Sequence, residues 1–142
     1  IIAADRGLRF VEVKRHHGGD YAAALALRPR GESGERTVKG TIFQLGGHNQ
    51  PRIVQIDDYV LDAAPEGRIM LIRNADQPGV IGAVGTLLGA RGINVARLHV
   101  GLAPGARKLS IMLWNVDADL PLEMLDEVRK LPHIHSAEQV TL

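Results

Sequence analysis

Two rhythms of apolar and polar positions divide the chain. From residue 1 to about 65 the period is mostly two. Leu8-Arg9-Phe10-Val11-Glu12-Val13 alternates apolar and polar side chains, the pattern of a half-buried strand whose successive residues face opposite ways. Tyr21-Ala22-Ala23-Ala24-Leu25-Ala26-Leu27 is rich in Ala but short, and turn material from Arg28-Pro29 to Gly34 follows it, which favours a strand over a helix. The run from Arg36 to Leu45 is long and β-branched, so the two runs around a polar turn predict a hairpin. Gly46-Gly47-His48-Asn49-Gln50-Pro51 reads as a further turn. Ile53-Val54-Gln55-Ile56 and Tyr59-Val60-Leu61, around Asp57-Asp58, predict two more short strands.

After Ala63-Ala64-Pro65-Glu66-Gly67 the rhythm changes, which places a module boundary there. Arg68 to Arg73 reads as a strand, and Asn74 to Gly79 as a loop. A helix follows from about Gly79 to Arg91, with Val80, Val84, Leu87 and Leu88 as its apolar stripe. Pro78 suits a helix start, because the missing N–H would be unpaired there in any case. Gly92 is the expected left-handed stop. Ile93 to Val100 is a strand, Pro104-Gly105 a turn, and Lys108 to Val116 the returning strand. Pro121 opens a second helix with Leu122, Leu125, Val128 and Leu131 at helical spacing, and His135 to Leu142 is a last strand. The order βαββαβ predicts an α+β, ferredoxin-like unit: a four-stranded antiparallel sheet with both helices on one face.

Composition narrows the function. The 142 residues hold 17 Lys and Arg against 16 Asp and Glu, a formal net charge of +1. That balance argues against nucleic acid held by bulk charge and against a polybasic membrane binder. No Cys is present, which excludes disulfides, cysteine metal sites and a thiol nucleophile. No apolar run approaches the ~18 residues of a membrane span. The chain opens on Ile1 without a signal-peptide pattern, which reads as a cut through a longer protein.

Candidate chemistry concentrates between Asp76 and Val80. A strand ends, a polar loop crosses, and a helix begins at Pro78-Gly79. The amides and dipole of that helix N-terminus attract a carboxylate, and Gly79 lets a ligand approach the backbone. Asp76 supplies a carboxylate for an ammonium, so the loop suits an amino-acid zwitterion. The alternative is that Asp76 simply caps the helix. Asn94, past the next turn, offers a two-sided hydrogen bond. His133 and His135 lie two apart on one strand face and His16-His17 are adjacent, but no zinc-type spacing appears. Gly79, Gly82 and Gly85 form Gly-x-x-Gly-x-x-Gly rather than a dinucleotide fingerprint; small residues on the sheet-packing face explain them. Trp114, in an apolar strand, reads as core or interface.

Arg73-Asn74-Ala75-Asp76-Gln77-Pro78-Gly79-Val80-Ile81-Gly82, with Leu87-Leu88 and Gly92-Ile93-Asn94-Val95, resembles the ACT domain, a regulatory module that binds amino acids. The whole chain is similar to the C-terminal region of bacterial D-3-phosphoglycerate dehydrogenases that carry an extra domain before the ACT domain. Ala3-Ala4-Asp5-Arg6-Gly7-Leu8, Val38 to Phe43, Pro51 to Asp57 and Pro65-Glu66-Gly67 carry that match. The resemblance implies a partial intervening (allosteric substrate-binding) domain over 1–65 and an ACT domain over 66–142. It implies L-serine as effector, held at the positions of Asn74, Asp76, Gly79 and Asn94, with Asn74 standing where relatives have His or Tyr. It further implies sites formed between two ACT domains, hence a homodimer or higher homo-oligomer. Arg52 falls at a possible anion site, whose second basic position is Ala64 here. No catalytic residue, cofactor or metal is expected in this segment, with NAD in the cytoplasmic parent enzyme. Two alternatives stay open: the β subunit of iron–sulfur L-serine dehydratase, and an ACT dimerisation module without effector.

Overall fold

The computed structural model describes residues 24–31, 34–105 and 108–142. The expected strand at Leu8–Val13, the His16-His17 pair and the Ala3–Leu8 motif lie outside the described residues. The elements run β1 (Ala24–Leu27), β2 (Arg30–Gly31), β3 (Gly34–Glu35), β4 (Val38–Leu45), β5 (His48–Ile56), β6 (Tyr59–Ala63), β7 (Arg68–Ala75), α1 (Val80–Ala90), β8 (Val95–Leu102), β9 (Leu109–Val116), α2 (Leu122–Arg129) and β10 (Ile134–Thr141).

The second half is the expected βαββαβ unit. Its strands lie in the order β8-β9-β7-β10, all antiparallel, and both helices pack on one face. Strand alternation decides which residue goes where. From the sheet, Met70, Ile72, Met112, Trp114, Val116 and Ala137 turn toward the helices. Val80, Val84 and Leu88 of α1 and Met124, Leu125 and Val128 of α2 come down to meet them. Each such side chain, fully buried, is worth ~1.5–3 kcal/mol. Trp114 is a core residue, 3% exposed. Leu122 departs from the expected stripe and is 73% exposed. It lies well round the helix from the Met124–Leu125–Val128 face that meets the sheet. The glycines also depart from expectation. Gly82 and Gly85 turn away from the Val80–Val84–Leu88 line, and a Cβ at either would meet nothing within 4 Å. They do not pack on the sheet.

The first half adds β1, β4, β5 and β6 to the same sheet, giving the order β1-β4-β5-β6-β8-β9-β7-β10. The predicted hairpin forms as β1 against β4, with a small β2–β3 hairpin inside the expected turn. The turn after β4 is shorter than the sequence implies. Gly46 and Gly47 both have positive φ (58° and 79°) and complete a two-residue reversal, so His48 to Pro51 already belong to β5. Pro51 is tolerated because β6 pairs with β5 only from Ile53 onward, leaving one side of Pro51 an edge. His133 also differs: it takes φ 69° in the turn before β10 and shares no strand face with His135.

The sheet folds back on itself at a narrow seam. β6 meets β8 at one ladder pair, Val60 with Leu102. Beyond it, Ile56, Leu61 and Ala63 pack on Ile69, Ile111 and Leu113, the face of the sheet opposite the helices. Asn115, near the end of apolar β9, donates through Nδ2 to the carbonyl of Glu66 (2.9 Å), pinning the connection between the halves. At the seam Gly101 leaves no room for a side chain: a Cβ would lie 2.9 Å from the carbonyl oxygen of Val60 and 3.1 Å from Ile111.

Gly101→Ala should therefore destabilise the protein by about 1–3 kcal/mol, the usual cost of overpacking against backbone. Gly85→Ala, in an open helix position, should stabilise it by about 0.5–1 kcal/mol. Urea unfolding of the two variants checks both signs.

Candidate functional site

The loop after β7 is shaped by backbone bonds. The Asp76 N–H donates to the carbonyl of Lys108 (2.8 Å), holding the loop against the start of β9. The chain then crosses Gln77 and Pro78 to Gly79, whose φ of 89° makes it the left-handed N-cap of α1. No side chain caps this helix and its first turn holds no acidic residue. Its leading N–H groups and positive dipole end are left for an outside acceptor. The Asp76 carboxylate is exposed and has no hydrogen-bond or ion-pair partner among the described residues. It does not cap the helix, which removes the simpler explanation for an Asp at this position.

Asn74 lies beneath this loop. It is 3% exposed, its Nδ2 donates to the Ala75 carbonyl (2.7 Å), and its Oδ1 accepts from the buried Ser110 hydroxyl (2.9 Å). Both ends of the amide are engaged inside the chain. Asn94 sits elsewhere. Its N–H donates to Asp117 Oδ1 (3.0 Å) and its carbonyl accepts from the Asp117 N–H (3.2 Å), at the far end of β9 from Lys108. Nine residues of extended chain separate these two ends, so Asp76 and Asn94 lie roughly 25–30 Å apart. One chain brings Asn74, Asp76 and Gly79 together and leaves Asn94 at the opposite end of the sheet.

Arg52 is on β5 at the seam. Its Nη2 donates to Gln50 Oε1 (2.8 Å), its Nε lies 3.6 Å from the Asp62 carboxylate, and its side chain is 20% exposed. Arg52 is thus held in the fold rather than free in solvent, and Ala64 beyond it is buried. Sequence reasoning gave no role to His99 of β8, yet it shares this corner. Burial holds its imidazole below its ordinary value; Asp62 opposes that effect and Arg52 and Arg97 reinforce it. The Nε atom of Arg52 and Nε2 of His99 are both buried without a hydrogen-bond partner. Among the described residues, no three His, Asp or Glu side chains converge as metal ligands would.

A second overlooked group surrounds Asp57. This residue takes φ 51° in the two-residue turn between β5 and β6. Its Oδ1 accepts the Thr37 N–H (3.0 Å), and its Oδ2 pairs with Arg36 (3.0 Å) and Arg73 (3.6 Å). It links the first half to β7, three residues before Asp76. The Asp-Asp turn was visible in the sequence; its long-range partners were not.

The description "ACT domain" matches residues 68–133. Over its full length the chain is 32% identical to a D-3-phosphoglycerate dehydrogenase of Synechocystis, covering 25% of that protein. It is 32% identical to the one of Methanocaldococcus jannaschii, over 100% of this chain and 26% of the relative. For that of Archaeoglobus fulgidus the identity is 35%, over 99% of this chain and 26% of the relative. The chain spans about a quarter of the length of the curated relatives it matches. No helix among the described residues is long and apolar enough to cross a membrane.

The half-buried His99 should make stability depend on pH. Its folded-state value lies below the ordinary 6.5, so the unfolded chain binds the proton more readily. The stability it contributes is present above about pH 6.5 and is lost as pH falls through its lower folded-state value. Melting temperatures at pH 7.5 and 5.5 should therefore differ less in His99→Gln than in the unaltered protein. An equal difference in both would show that His99 does not titrate across this window.

Proposed function

Residues 68–133 form an ACT domain within a chain homologous to the C-terminal region of the D-3-phosphoglycerate dehydrogenases, and on that premise we propose that it is an L-serine-binding regulatory and oligomerisation module. The observation that carries the proposal is the uncapped N-terminus of α1 beside an unpaired Asp76. An amino acid offers the complementary pair. Its carboxylate accepts from the leading amides of α1 past Gly79, and its ammonium pairs with Asp76. Asn94 completes the site from a second copy. Because Asp76 and Asn94 flank opposite ends of α1, a two-fold axis near the middle of that helix places each beside the other's counterpart. The edge supports this arrangement: β6 covers β8 only at Leu102, and the rest of that strand is open to pairing. Two equivalent effector sites result per dimer.

In this reading the fragment itself is not catalytic. It tunes an NAD-dependent oxidoreductase unit of a cytoplasmic parent enzyme, with residues 1–65 as part of the intervening domain and 66–142 as the ACT domain. A second reading, assembly without an effector, draws on one observation: Asn74 is buried and satisfied from within, where a ligand-contacting side chain would open outward.

L-Serine at millimolar concentration should raise the melting temperature, since a ligand that binds only the folded form stabilises it by mass action. Asp76→Ala should weaken binding about 10–100-fold, the loss expected for one charged hydrogen-bonded partner. Asn94→Ala should weaken it as well. Mixed dimers of the two variants should regain one intact site of the two, measured by calorimetry. An unmoved melting curve in a well-formed dimer would replace the effector reading with the assembly reading.

Assembly is checked separately. Light scattering at high micromolar concentration should give about twice the 15.4 kDa of one chain, or a multiple of that. A monomer alone would remove the shared site.

A further inference from the structure

The Asp57 turn forms one wall of a cleft of about 540 Å³ between the first half of the chain and β7. That volume is in the range of small-ligand sites, but the lining is charged where such sites are usually apolar. Arg28, Arg36, Lys39 and Arg73 contribute cations, and Glu35, Asp57 and Asp58 contribute carboxylates. The pairings leave an imbalance. Glu35 is bound by Arg30 (2.6 Å). Asp57 alone faces two guanidinium groups, Arg36 and Arg73. Arg28 and Lys39 have no ion-pair partner among the described residues. Among the described residues, with Arg30 included, five cations stand against three carboxylates. Arg73 is 22% exposed in its side chain, so its charge is only partly screened by water.

We propose that this cleft is a binding site for a small oxyanion of two or more negative charges, phosphate or a phosphate-like group. Lys39 and Arg28 supply the free cations. Arg36 and Arg73 supply planar guanidinium forks, which match oxyanion geometry. Asp57 engages those two forks, and an anion competes with it for them. The site is separate from Arg52, which does not line the cleft. It is also separate from the Asp76 loop, because Arg73 points to the face of the sheet opposite α1.

Thermal melting in inorganic phosphate against chloride at matched ionic strength, at pH 7.5, tests this. Phosphate should raise the melting temperature beyond chloride. Lys39→Ala and Arg28→Ala should each remove at least half of that shift, while Lys39→Arg should keep it. Asp57→Asn should enlarge the shift, since Asn tolerates the left-handed backbone and frees both guanidinium groups. Arg52→Ala and Lys130→Ala should leave the shift unchanged. No rise beyond chloride, or the same rise in every variant, overturns the proposal.

Discussion

The structure depends on burying the two central strands, β7 and β9, from both sides. Every residue of β9 from Ser110 to Val116 is buried. A strand covered on both faces needs two separate layers of apolar partners, because its side chains alternate. The helices supply one layer and the β5–β6 hairpin supplies the other. The second layer arrives only because the eight-stranded sheet doubles back where β6 meets β8. That reversal is why a backbone carbonyl presses on Gly101 and why a histidine, two arginines and an aspartate gather around the same corner.

The same arrangement sets out the two candidate surfaces. The helix face carries α1, with its open N-terminus at one end and Asn94 beyond the other. The opposite face carries the Asp57 cluster, which ties Arg73 of β7 to the first half of the chain. Arg73 immediately precedes Asn74, so the strand residue beneath the Asp76 loop neighbours one anchored in the charged cleft. The two halves are joined by a shared apolar cluster, by Asn115 on the linker carbonyl and by the Asp57 pairs.

The repeating features of the fold were legible in the sequence. The βαββαβ order, the Val80–Val84–Leu88 stripe, the burial of Leu125 and Val128, and the strands on either side of Asp57-Asp58 all follow from period and punctuation. These are local properties: a strand or helix shows its face through the spacing of its own residues. Where local signals competed, the reading slipped. Six turn-like residues after Leu45 hid a two-residue reversal, and Leu122 carried helical spacing without reaching the sheet.

The sequence by itself determined an ACT-like unit, the polar loop that opens its first helix, and residue types whose charges complement a zwitterion. Tertiary structure alone decided that Asp76 is no cap, that Asn74 faces Ser110, and that Asn94 lies too far away to serve the same chain's loop. It also decided that Asp57 joins Arg36 to Arg73 and that His99 sits half-buried near Arg52. The physical reason is common to all of these. Periodicity reports which face a residue takes within its own element, whereas partners and burial depend on which distant element is folded against that face.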